Sequence, residues 1–191
     1  MPTKRRFNCH HGPTNSYTIQ TPIGDIEVIS CPKGLHSVSQ MDLTDENFSP
    51  DIRIPVEVKS QVYQDNGYTY KPALLCVEWL KQYFSDGSSI HLKMPPSCSS
   101  ISKCGTFTEK VWQTLPERVT FGQTISYGKL AQLCGNVKAC RAVGMAMRSN
   151  PLQLLIPCHR VIQESGGIGN YSSGRKNKMK LWLLKYEGAI K

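Results

Sequence analysis

Apolar and polar residues alternate near the start of the chain: Tyr17 and Ile19 stand before Thr21-Pro22-Ile23-Gly24-Asp25, with Ile26 and Val28 after it. Period-two spacing on both sides of a Pro/Gly stretch predicts a strand, a tight turn and a second strand. A third strand is expected over Leu35 to Met41, and residues 42–70, rich in Asp, Asn, Pro and Gly, read as loop with short strands. The period then changes. Leu75, Trp79 and Leu80 share one helical face, so a helix opens at Lys71-Pro72 and runs to about Phe84. The polar stretch Ser85 to Ser102, with Pro95-Pro96, reads as a linker and puts a domain boundary near residue 100.

Beyond that boundary the helical period dominates. Thr106-Phe107-Thr108-Glu109 fits a capping box, and its helix is expected to stop at Leu115 because Pro116 follows. Ser126 can cap a helix through Leu133, Gly135-Asn136 turns the chain, and Lys138 to Ser149 forms the next helix. Two short helices around a glycine turn read as a helix-turn-helix. A last helix covers Lys176 to Glu187, with Leu181, Trp182 and Leu184 apolar and Gly188 placed to cap it. The expected fold class is α+β: an N-terminal α/β domain over residues 1–100 with a small antiparallel sheet, then a mostly helical domain over residues 101–191.

Composition narrows the setting. With 39% hydrophobic and 19% charged residues over 191 positions, the chain is globular. No run nears the roughly 18 apolar residues of a membrane span, and Met1-Pro2-Thr3-Lys4-Arg5-Arg6 leads into no apolar signal core, so an intracellular protein is expected. Charge is uneven: residues 1–100 hold 9 Lys/Arg against 10 Asp/Glu, whereas residues 101–191 hold 14 against 4. The second half is therefore the expected polyanion binder. Eight cysteines in such a compartment are expected to be mostly reduced, leaving packing, chemistry or metal to account for them.

The chemistry concentrates in Ile156-Pro157-Cys158-His159-Arg160-Val161-Ile162. A thiolate is a nucleophile, and an adjacent, partly positive imidazole is expected to bring the thiol down from its usual value of about 8.5. Asn150-Pro151 lies upstream, the glycine-rich Ser165-Gly166-Gly167-Ile168-Gly169-Asn170-Tyr171 follows, and Pro157 stiffens the chain before the thiol. A core cysteine beside a satisfied histidine is the plainer alternative. The helix Ala139-Cys140-Arg141-Ala142-Val143-Gly144-Met145-Ala146 is short of side-chain bulk, and its glycine costs up to about 1 kcal/mol relative to alanine. Either a close approach to another surface or tight helix packing accounts for that.

Pro157-Cys158-His159-Arg160-Val161, with Arg141-Ala142-Val143-Gly144 before it and Gly169-Asn170-Tyr171 after it, resembles the O6-alkylguanine-DNA alkyltransferases, most closely from Thr106 to Gly188. The resemblance implies a ribonuclease H-like N-terminal domain and direct DNA repair. Cys158 would take the alkyl group from O6-alkylguanine, and less well from O4-alkylthymine, in one irreversible reaction per molecule. His159 would relay the thiol proton through a water, Glu187 would orient the imidazole, and Asn150 would be the hinge into the reactive loop. Arg141 would fill the space of the rotated-out nucleotide, with Tyr127, Ala139, Ala142, Gly144, Arg148 and Thr108 also on the DNA. Tyr127, Tyr171, Ser172, Met147 and Val161 would line the base pocket. No organic cofactor is implied, and the partner is duplex DNA carrying the lesion, met by a monomer in the nucleus. A structural zinc is implied on Cys9, Cys31, His36 and Cys98, with His10, His11 or His91 as substitutes. Two rivals differ in class. A non-catalytic lesion binder would lack the nucleophile, which Cys158 argues against, and a cysteine hydrolase would need a distant histidine and an oxyanion hole.

Overall fold

The computed structural model describes residues 9–41, 43–63, 68–86 and 93–191. Four antiparallel strands, β1 (Asn15–Gln20), β2 (Ile26–Cys31), β3 (Gly34–Gln40) and β4 (Glu57–Val62), lie in the order β3-β2-β1-β4. The alternation seen in the sequence is the sheet's two faces: Tyr17 and Ile19 are buried while Ser16 and Thr18 are less so. Gly24, with φ +101°, makes the turn between β1 and β2, where its N–H donates to Thr21 O at 3.0 Å. Helix α1 (Lys71–Asp86) lays Ala73, Cys76, Leu80 and Tyr83 toward β2 and β3.

The expected linker is not free. Leu35 N–H donates to Pro96 O and Cys98 N–H to Leu35 O, both at 2.9 Å, so residues 96–98 run alongside β3. Gly34 makes this possible, because a Cβ there would sit 2.4 Å from the backbone of Ser97 and Cys98. Further along, Val38 N–H donates to Pro151 O at 2.8 Å and Gln153 N–H to Val38 O at 2.9 Å. The edge of the N-terminal sheet thus carries the loop that leads to Cys158. His91, named as a substitute ligand, lies outside the described residues.

Helix α2 (Phe107–Arg118) is capped as expected: Thr106 Oγ1 accepts Glu109 N–H at 3.3 Å, and the Glu109 carboxylate accepts Gly105 N–H at 2.7 Å. It does not stop at Leu115. Pro116 deprives only the Trp112 carbonyl of its donor, and Val119 N–H closes the last turn on Leu115 O at 3.0 Å, so the helix continues to Arg118. Helices α3 (Tyr127–Leu133, capped by Ser126) and α4 (Cys140–Arg148) form the expected pair. Trp112 Nε1–H donates to Ala146 O at 2.8 Å, a closeness that the small residues of α4 permit.

Helix α5 (Asn177–Tyr186) has no cap from its own flank; Asp45 supplies it from the first half, accepting Asn177 N–H at 3.1 Å and Lys178 N–H at 2.7 Å. Gly188, at φ +69°, ends the helix. One apolar cluster runs from Tyr17 through Val111 and Leu130 to Leu183, continuous across residue 100.

Candidate active site

Two short pairings bring the reactive elements together. Strand β5 (Ile125–Ser126) runs parallel to β6 (Val161–Ile162), which sets Tyr127 at the start of α3 near the turn Cys158–Arg160. Neither two-residue strand is long enough to show a period in the sequence. Upstream, Asn150 accepts Leu152 N–H on Oδ1 at 2.9 Å and donates from Nδ2 to Ile156 O at 2.8 Å. That amide bridges the loop before Pro157 and reaches Cys158 Sγ at 3.1 Å. Leu154 is held at φ +69° inside the same loop, a left-handed conformation uncommon for leucine.

Cys158 is 6% exposed and lies on the wall of a cavity of about 420 Å³. Of the expected pocket residues, Tyr127, Met147, Tyr171 and Ser172 line it; Gly144, Arg148, Asn150, Gln153, Asn170 and Ser173 complete it. Val161 does not reach the cavity. It is wholly buried, and its carbonyl accepts the Lys180 ammonium at 2.7 Å. The Cys158 thiol donates to Tyr171 Oη at 3.5 Å. Burial pushes the thiol up, against the expectation of a lowered value, while Tyr171, Asn150 and the Lys180 charge pull it back in part. Burial likewise holds His159 below its usual value, and the imidazole is not among the groups that bring the thiol down.

His159 points the other way, onto Glu187. Nε2–H donates to Glu187 Oε1 at 2.8 Å, and Nδ1 is buried with no hydrogen-bond partner among the described residues. Glu187 is not a solvated helix-end carboxylate but is 4% exposed. Arg160 Nε–H donates to Oε2 at 2.8 Å and Nη2–H to Oε1 at 3.0 Å, and Tyr83 O–H donates to Oε1 at 2.7 Å. Burial alone would raise this carboxyl; the donors and charges of His159 and Arg160 outweigh it and bring it down to about 2. Arg160 Nη1–H also donates to Val119 O at 2.8 Å, tying the end of α2 to the site. Burial lowers Lys180 to about 8, against the Cys158 charge.

Arg160, Tyr83 and Lys180 had no role in the sequence reading. Lys180 and Glu187 were open to it, since both fall in phase with the buried Leu183 and Leu184 of α5.

The remaining expected residues divide by position. Arg141, Ala142 and Arg148 are exposed along α4 with Cys140 and Met145, Ala139 is its half-buried N-cap, and Thr108 sits in the first turn of α2 away from the cavity wall. A Cβ at Gly144 would meet nothing within 4 Å, so this glycine leaves open space beside the cavity and is not required by packing within the chain. Ala146 and Val143, by contrast, are small for packing.

A second cluster joins Cys9, His11, Cys31 and Cys98, whose ligand atoms all lie within 4.8 Å of one another. Cys9 Sγ is 3.7 Å from Cys98 Sγ, and His11 Nδ1 is 3.4 Å from Cys98 Sγ. His36, the expected fourth member, is replaced by His11. It stands one step out, with Nδ1 3.4 Å from Ser100 Oγ, which in turn lies 3.1 Å from Cys98 Sγ. The Cys9–Gly12 turn is what brings His11 in, through Gly12 N–H on Cys9 O at 3.2 Å. His10 remains exposed.

A buried thiol on a cavity wall, next in sequence to an imidazole–carboxylate pair and beside a cationic helix in a mixed α and β fold, fits a cysteine-dependent transferase. The family described as 6-O-methylguanine DNA methyltransferase, DNA binding domain, matches residues 106–189. The methylated-DNA-protein-cysteine methyltransferase of Rattus norvegicus is 39% identical over 174 residues, covering 90% of this chain and 81% of the rat protein. That of Homo sapiens is 38% identical over 172 residues, covering 90% and 79%. A crystal structure of Mycobacterium tuberculosis OGT in complex with DNA matches with a TM-score of 0.63 at 26% identity, over 90% of this chain and 91% of that one. The chain belongs to the methylated-DNA-protein-cysteine methyltransferase family.

Proposed function

We propose that this protein repairs DNA directly, moving the alkyl group of O6-alkylguanine onto its own Cys158 in a single irreversible reaction. The observation that carries the reading is the placement of Cys158 Sγ on the cavity wall, with His159 bound to Glu187 through Nε2 and bare at Nδ1. In the neutral ring Nδ1 is the atom that accepts a proton. The thiol proton passes through a water to Nδ1, and Glu187 stabilises the imidazolium that results. Sulfur then attacks the alkyl carbon, an S–C bond forms, the O6–C bond breaks, and guanine leaves with the electron pair. Tyr127 at N3 and Ser172 at O6 are the donors that neutralise it. Burial raises the thiol and lowers the imidazole, which biases both toward their uncharged forms until the proton moves between them.

The lesion reaches Cys158 by leaving the base stack, with Arg141 taking its place and Ala139, Ala142, Gly144, Arg148 and Thr108 lying along the duplex. Residues 101–191 are the DNA-binding and alkyl-acceptor part and residues 1–100 its support, in a monomer working in the nucleus. Zinc fits the second cluster. Three thiols and one imidazole are its preferred donors, and with bonds of about 2.3 Å a tetrahedral ion sets its sulfur ligands about 3.8 Å apart, close to the Cys9–Cys98 separation. Bound there, zinc would tie the N-terminal turn to β2 and to residues 96–98.

The test is stoichiometry. With duplex carrying labelled O6-methylguanine in large excess, label on protein is expected to rise to one methyl group per chain and stop. Continued turnover would contradict the reading.

A further inference from the structure

Tyr83 reaches the site from the first half of the chain, 104 residues from its partner. Its side chain is wholly buried, its O–H donates to Glu187 Oε1 at 2.7 Å, and its carbonyl accepts the Tyr186 hydroxyl at 2.8 Å. Trp79 stacks on its ring at 5.3 Å, while Phe84 and Phe121 meet it edge-on at 4.9 and 5.9 Å. Fixed at ring and backbone, the hydroxyl is left one direction in which to donate. The oxygen it meets is the one that accepts His159 Nε2–H and Arg160 Nη2–H. Three donors share Oε1, and each reduces the negative charge that the other two can draw on.

We propose that Tyr83 is a positioning residue for alkyl transfer: its O–H, sharing Glu187 Oε1 with His159, fixes the carboxylate and sets how strongly that carboxylate holds a proton on the imidazole. This rests on the alkyl-transfer reading above. The other titratable groups acting on the pair are Arg160 and Lys180, and the Tyr186 phenol feels the Glu187 charge. Arg160 and Lys180 oppose charge on His159 directly; Tyr83 would oppose it through the carboxylate oxygen it shares. Burial keeps the Tyr83 phenol protonated, so it remains a donor throughout.

Removing the hydroxyl leaves Oε1 with two donors and makes it the better acceptor for His159. The imidazole then keeps its proton to higher pH. Since the neutral ring receives the thiol proton, the fall in rate on acidification moves to higher pH.

The experiment measures single-turnover methyl transfer from about pH 5 to 8. Tyr83→Phe is expected to move the acid midpoint up by about half a unit, or about threefold in rate below it. A 3-fluorotyrosine at position 83, a stronger donor, moves it down. Phe84→Leu loosens the same aromatic cluster without touching Glu187 and leaves the midpoint in place. Superimposable profiles for wild type, Phe and fluorotyrosine proteins overturn the proposal, as does an equal shift in Phe84→Leu. A wild-type protein that takes up no methyl group would instead refute the alkyl-transfer reading, so the two failures are distinct.

Discussion

At the scale of single residues, Glu187 answers for more than the imidazole. Its carboxylate is the sole acidic partner of the buried Arg160 guanidinium among the described residues. Glu187→Gln therefore leaves a buried cation uncompensated, and a loss of about 3–5 kcal/mol is expected in urea unfolding at neutral pH. The folded carboxyl, at about 2, lies below its ordinary 4.5, so its contribution is present above pH 4.5 and drains away as pH falls toward 2. The Gln variant should lack that part of the acid dependence; equal stability of the two proteins at neutral pH would contradict the assignment. The sequence marked Cys158 and His159 by adjacency, and the resemblance supplied Glu187. It could not mark Tyr83 as the third donor, because a tyrosine on an apolar helix face carries no sign of an acceptor 104 residues away. Nor could it choose between His11 and His36, a choice made by the fold of the Cys9–Gly12 turn.

At the scale of elements, local pattern was a good guide and pairing was not. The β1–β2 hairpin, β3, α1 and the α3–α4 pair follow from periods and caps read within a few residues. Residues 96–98 look like a linker because they lie in the polar stretch Ser85 to Ser102 beside Pro95-Pro96, yet their backbone hydrogen-bonds to Leu35, and no composition reveals that. Gly34→Ala tests this junction. Its Cβ would meet backbone at 2.4 Å, so a destabilisation of about 1–3 kcal/mol or more is expected, with faster amide exchange at Leu35 and Cys98. Unchanged thermal unfolding and exchange would show that the strand does not lie where described. The helix through Pro116 teaches the same limit from the other side: a proline near a helix end costs one bond and need not end the helix.

At the scale of the whole molecule, the first half holds elements of the second in place around Cys158. It lends Asp45 to the start of α5, the β3 edge to the loop before Cys158, and Tyr83 to Glu187. The Cys9, His11, Cys31 and Cys98 cluster adds a further tie if zinc fills it as proposed. Protein purified without chelator is expected to hold one zinc per chain, and its removal to lower the melting temperature while Cys158 stays in place. Absence of zinc, or a melting temperature indifferent to its removal, would remove the metal from the account. The central claim is that Cys158 itself is the acceptor. Intact-mass measurement after incubation with duplex containing O6-methylguanine, followed by peptide mapping, should find one added CH2, on Cys158, and none in Cys158→Ala although that variant still binds the duplex. A methyl group mapped to any other residue, or no gain in mass with the lesion supplied, would contradict it.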